Sequence, residues 1–299
     1  MNAALSTPEA LVEALQGPSP SYKRAEVDAV VANATETAPL LLALLDGLMS
    51  DPDTIEERLD PNDFGPLYAF VSLSQLRYEA AHDTFVRIAR LPTDAFEVLL
   101  AEGLVTEGLT APLVRTAGGR TDGLRAIVLD DDADNYIRAQ AAEALAIMVH
   151  RGHAERGEVL ELLSQVMISD SDWPSFLPAG MLAAMFLLGA VEYSDLIAKA
   201  FDEDLVDPVM FGDLDDTLDD MEKERRTRAG LQQASDAADL NDVHRSMSWW
   251  YCFSPEAPRL GGLAPASAKD QRQARARAEK RKHANRKQKS ARKRQRRKK

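Results

Sequence analysis

Three aspartates at alternate positions, Asp130, Asp132 and Asp134, open the segment DDDADNYIRAQAAEALAIMVH over residues 130–150. Oxygen ligands one, three and five of a calcium loop are spaced in this way, and Ile137 falls where such a loop carries an apolar residue. The sixth position, which needs Gly for a sharp turn, is Asn135, and the twelfth, which needs a bidentate carboxylate, is Ala141. A hard cation would be under-coordinated here. A second reading accounts for more of the residues. Ile137, Ala141, Ala144, Leu145 and Met148 recur at helical spacing and form one apolar stripe. The alanines on it let a neighbouring helix come close. Asp132 or Asp134 can cap that helix, and acids ahead of a helix start suit its dipole. The segment is predicted to be a turn between paired helices, with no metal.

Other groups able to do chemistry are few. His150 and His153 lie near a helix end with Glu155 close by, a spacing from which metal binding is conceivable, but Gly152 interrupts them. Histidines at a helix end also simply favour its dipole, which is the reading adopted. Asp213, Asp215, Asp216, Asp219 and Asp220 crowd FGDLDDTLDDMEKE, residues 211–224. They can face a cation or a basic peptide, but a solvated helix face or a linker explains them as well and is preferred. There is no Gly-rich phosphate loop, no GxSxG elbow and no HExxH helix. Cys252 is the only cysteine, which excludes an intrachain disulfide and a Cys-ligated zinc site. No cofactor is expected, and the chain reads as non-enzymatic. The alternative is a metal-dependent enzyme using carboxylates such as Asp213, Asp215 and Asp216.

The strongest functional signal is charge. Residues 269–299 carry 17 Lys and Arg against 2 acids, a net of +15, while the rest holds 19 basic and 46 acidic residues, a net of −27. The basic stretch has almost no apolar side chain larger than Ala, so it cannot build a packed core and is expected to be disordered when unbound. The side chains expected to neutralise phosphates are Arg272, Arg275, Arg277, Lys280, Arg281, Lys282, Arg286, Lys287, Lys289, Arg292, Lys293, Arg294, Arg296, Arg297, Lys298 and Lys299. Such contacts release counterions and bind RNA, a ribosome or DNA without reading sequence. An acidic body should repel the same polyanions. Ahead of the tail, SMSWWYCFSPEAPRL gathers Trp249, Trp250, Tyr251 and Phe253. These aromatics are read first as a cap on the last repeat, and second as an anchor for a protein partner.

The elements that must position these groups are helices. PLLLALLDGLM, FGPLYAFVSLSQL, EAAHDTFVRIARL, DGLRAIVLDD, GEVLELLSQVMIS and SDLIAKAFDEDLV follow one another with apolar residues at spacings of three and four and no convincing strand pattern. The N-terminal STPEALVEALQG predicts a helix begun by Thr7 and Pro8 rather than a leader peptide. LPAGMLAAMFLLGAV, residues 177–191, falls short of the roughly 20 residues that cross a bilayer and is predicted to be a buried core helix. The polar segment KERRTRAGLQQASDAADLNDVH is expected to be an exposed helix or a linker. Units of about 35 to 45 residues, each with an apolar face it cannot bury alone, predict an all-α, HEAT-like solenoid of paired antiparallel helices. Its expected limits are residues 5–250, followed by a Pro/Gly/Ala linker over 251–268 and the tail over 269–299. A cytoplasmic protein fits this composition.

The order of segments resembles a known family. GPLYAFVSLSQLRYEAAHDTFVRIARLP, DDDADNYIRAQAAEALAIMV and FDEDLVDPVMFGDLDD look like the bacterial domain-of-unknown-function family 1186. The resemblance implies a helical-repeat fold and no established activity. Some relatives end in a Cys-rich, metal-binding motif of the SEC-C type. With one cysteine and a basic tail, this chain does not carry that function over.

Overall fold

In a computed structural model, the described residues are 7–17, 21–60, 62–100, 103–106, 108–169, 176–206, 208–240 and 242–247. The chain divides after Pro255 into two units, and all of these residues belong to the first. Among them the regular elements are helical, with no strand. In order they are α1 (Pro8–Leu15), α2 (Arg24–Ala32), α3 (Ala34–Leu48), α4 (Ile55–Arg58), α5 (Gly65–Gln75) and α6 (His82–Ala89). Next come α7 (Thr93–Leu100), α8 (Gly103–Thr106), α9 (Thr110–Thr116), α10 (Asp122–Leu129), α11 (Asn135–His150) and α12 (Arg156–Ser169). The series closes with α13 (Leu177–Leu187), α14 (Ser194–Asp202), α15 (Pro208–Phe211), α16 (Leu214–Thr227), α17 (Ala229–Asp239) and α18 (Val243–Met247).

Local signals start and stop several of these helices, although α3 begins at Ala34, five residues ahead of the Leu-rich stretch that predicts it. Thr7 caps α1, its hydroxyl accepting from the Ala10 amide at 3.2 Å, with Pro8 at the first helical position. The pairs α5/α6, α11/α12 and α13/α14 each turn on a left-handed residue: Arg77, Gly152 and Gly189. At each turn two amides reach back over the helix end. Tyr78 and Arg77 donate to Leu73 and Ser74, His153 and Gly152 to Met148 and Val149, and Ala190 and Gly189 to Met185 and Phe186. That is the Schellman closure, which satisfies carbonyls the helix leaves over. The pair α9/α10 turns on Gly118 and Gly119, also left-handed. The helix-ending turns thus recur at intervals of roughly 35 to 40 residues, the period expected of helical repeats.

Packing arranges the pairs as an HEAT-like solenoid of antiparallel helices. The first helices stack in order, α3 on α5, α5 on α9, α9 on α11, α11 on α13 and α13 on α16. Among the second helices only α6 and α10 meet to a comparable extent, so the first helices form the tighter, inner layer. α13 is the core helix expected from its composition, with Leu177, Met181, Leu182 and Met185 buried. No single described helix is long and apolar enough to cross a membrane. The close approach expected of the alanine stripe on α11 is met by Gly180 of α13: a Cβ there would lie 2.4 Å from that of Ala139. One core runs through the stack, from Leu11 and Leu15 to Met221 and Met247.

Candidate functional site

The acidic turn at 130–134 is an N-terminal cap built on the neighbouring pair. Asp134 accepts from the Tyr136 amide at 2.9 Å and from the Thr93 hydroxyl at 3.0 Å. Asp130 accepts from the Asp132 amide and forms a 2.6 Å ion pair with Arg90. Burial pushes the Asp130 carboxyl up, but the bonds from Arg90 and the Asp132 amide outweigh it and hold the group below the usual carboxylate range. Arg138, buried in α11, donates to the Val128 carbonyl at the end of α10. The Asp130 and Asp134 carboxylates thus tie the turn to the neighbouring pair, and Arg138 ties α11 to the end of α10.

Asp213 is the N-cap of α16, accepting from the Asp216 amide at 2.9 Å, and Asp215 and Asp216 lie in its exposed first turn. His150 meets Gln232 at 3.1 Å, and the His153 ring lies over Gly119. Among the described residues no three His, Cys, Asp or Glu side chains gather as a metal site. Trp249, Trp250, Tyr251 and Phe253, and every basic side chain named from Arg272 to Lys299, lie outside the described residues.

The feature that sequence reasoning missed is a row of arginines on the inner layer. Arg77 stands at the turn after α5, Arg115 in the last turn of α9 and Arg151 just beyond α11, so three successive repeats supply one guanidinium each. All three converge on the end of α17. Arg77 and Arg151 share the Asp239 carboxylate, at 2.8 and 3.0 Å. Arg115 donates to the carbonyls of Ala238, at 2.6 Å, and Leu240. Arg151 also donates to the Ser235 carbonyl at 3.2 Å. A helix end carries unsatisfied carbonyls and partial negative charge, so cations beside it are stabilising. Burial, and then the like charges of Arg77 and Arg151 nearby, push the Arg115 guanidinium down. Burial pushes the Asp239 carboxyl up, but the Arg77 hydrogen bond and the Arg151 charge outweigh it and hold it low.

Guanidinium groups cap helix ends elsewhere in the molecule. Arg156 donates to the Leu188 and Gly189 carbonyls beyond α13, and Arg138 to Val128 as above. Each of those ends takes one arginine; the end of α17 takes three. α17 packs on α9, α11 and α16, and α18 on α5, so the segment doubles back along the inner layer. At its far end His244 meets Asp28 at 2.7 Å and Tyr22 at 2.8 Å. Burial pushes the Tyr22 phenol up to about 12, so Tyr22 stays protonated and available as a donor. The expectation of an exposed helix or linker here holds only in part, because Leu231, Ser235 and Ala238 are buried against the stack. The one legible signal was an Arg close to a helix-ending turn in LRYE, VRTAGG and HRGH.

Fold and surface together define an all-α helical-repeat protein of the HEAT type, with a self-occupied inner face. The model of the family described as "Protein of unknown function (DUF1186)" matches residues 8–254, and the chain belongs to that family. No curated protein and no solved structure shows a significant match to it.

Proposed function

We propose that this chain is a non-enzymatic, cytoplasmic helical-repeat scaffold that binds a protein partner through its acidic body and is tethered to RNA, a ribosome or DNA by its basic tail. The observation that carries the reading is the division of charge, +15 over residues 269–299 against −27 over the rest. A stretch of that composition contributes no core, whereas its guanidinium and ammonium groups match phosphates in number and chemistry. The stacked pairs of the body supply what a scaffold needs, an extended surface fixed by a continuous core. Trp249, Trp250, Tyr251 and Phe253 remain a second partner-binding candidate between the two. The test is a crosslinking pull-down comparing the full chain with one ending at residue 268. Nucleic acid should crosslink to the full chain alone, and protein partners should be captured by both. Equal recovery of nucleic acid by the two chains would overturn the tether.

A further inference from the structure

α17 lies on the arginine row much as a ligand lies in a site. Its contacts to Arg115 and Arg151 use mainly backbone carbonyls, with the Ser235 hydroxyl also accepting from Arg151 at 3.2 Å, and a single carboxylate, Asp239, adds the specific charge. Remove that end and three like charges would be left together on the inner layer of a body that is otherwise strongly acidic. Large apolar anchors are few: along α17 only Leu231 is a large buried apolar side chain. Beyond it, Val243 and Met247 of α18 are buried, and the polar anchors are His150 to Gln232 and His244 to Asp28 and Tyr22.

The join to the body is a single exposed residue, Arg228, at φ 53° and ψ 26°. A non-glycine residue is uncommon and strained in that region. α16 and α17 flank it directly and no proline intervenes. Rotation of Arg228 into the right-handed region would therefore merge the two helices and swing α17 off the row. The Gly230 and Leu231 amides, now capped by Glu224 at 2.9 Å each, would find helical carbonyls instead.

We propose that Arg77, Arg115 and Arg151 form a docking site for the C-terminal end of a partner protein's helix with an acidic last turn, and that α17 is the built-in occupant which that partner displaces. The proposal rests on the scaffold reading of the body and is independent of the tail. Charge complementarity chooses the occupant: the row offers three cations and the helix end offers carbonyls with a carboxylate.

The experiment uses the full chain and, as probe, a fluorescein-labelled peptide with the sequence of residues 229–247, read by anisotropy. Wild type should bind it weakly, because its own α17 holds the row. Asp239→Lys, which sets a cation against the arginines, and Arg228→Val, which disfavours the left-handed hinge, should each bind about tenfold tighter by raising the competent fraction. Arg228→Gly should bind more weakly than wild type, since glycine accepts the closed hinge without strain. In the Asp239→Lys chain, further Arg115→Ala and Arg151→Ala changes should remove binding, as should placing Lys at position 239 of the peptide. Hydrogen exchange over 229–247, measured in parallel, should rise in both opened variants. Unchanged exchange there would overturn the displaceable occupant. Raised exchange without peptide binding, or binding that survives loss of Arg115 and Arg151, would overturn the site. Concentration-dependent dimers in the opened variants would assign the row to a second copy's α17 and overturn the partner. Each of these can occur while the tail still binds polyanion, so failure here is separable from failure of the tether.

Discussion

Gly180 sets how closely α11 and α13 approach, since any side chain there meets Ala139. Gly180→Ala should lower stability by about 1 to 3 kcal/mol by overpacking this crossing. On the same helix pair Leu145 is fully buried, and Leu145→Ala should cost about 2 to 5 kcal/mol. Denaturant melts check both, and an unchanged midpoint in either would mean that the crossing is misplaced. His82 makes a different prediction. Its ring is buried, Nδ1 meets the Thr116 hydroxyl at 3.2 Å, and Nε2 has no partner. Burial, then the nearby Arg120 charge, push the imidazole below its ordinary value of 6.5, so it is neutral in the fold. The unfolded chain therefore binds this proton more readily, and the stability is complete above 6.5 and is lost as pH falls from there towards the folded value. Melting temperature should begin to drop below about pH 6.5, and His82→Gln should flatten that limb. An identical drop in the variant would contradict the assignment.

The turn before α11 and the end of α17 show what helices ask of their termini. At the first, Asp134→Ala should cost about 1 kcal/mol by removing the cap. Calcium at about 1 mM should leave the melting curve unchanged, because no closing ligand exists. A calcium-dependent rise abolished by Asp132→Ala would reverse that reading. At the second, the depressed Asp239 carboxyl contributes above the ordinary carboxylate value of 3.8 and loses its contribution as pH falls through the lower folded value. Protection of α17 from exchange should therefore weaken only below about pH 4, and Arg77→Ala, which brings the folded value closer to the ordinary one, should make that pH-dependent loss smaller. Most of these elements could be read from the chain. α1, the α5/α6 turn at Arg77 and the buried α13 follow from capping residues, turn chemistry and apolar period, which are local properties. α17 could not be placed in that way. Ala229–Asp239 has one large apolar residue, and its position is decided by arginines more than eighty residues away in sequence bonding to carbonyls. Side-chain periodicity carries no trace of a contact made to backbone.

The whole chain joins two opposite polyelectrolytes, a division visible in composition alone, while the inner row became visible only with the fold. The acidic body must oppose whatever its tail attracts. A peptide of residues 269–299 should therefore bind nucleic acid more tightly than the full chain, with the difference largest at low salt, where screening reaches least. The most direct measurement is a salt titration of RNA and duplex DNA binding by this peptide, the full chain and a chain ending at residue 268. If about 8 phosphates are neutralised, log K against log salt should slope by roughly −6 on single strands and −7 on duplex. Peptide and full chain should show that dependence without sequence preference, and the shortened chain should not bind while melting at nearly the same temperature. Binding by the shortened chain equal to that of the full chain would contradict the tether and leave the tail a solubilising appendage.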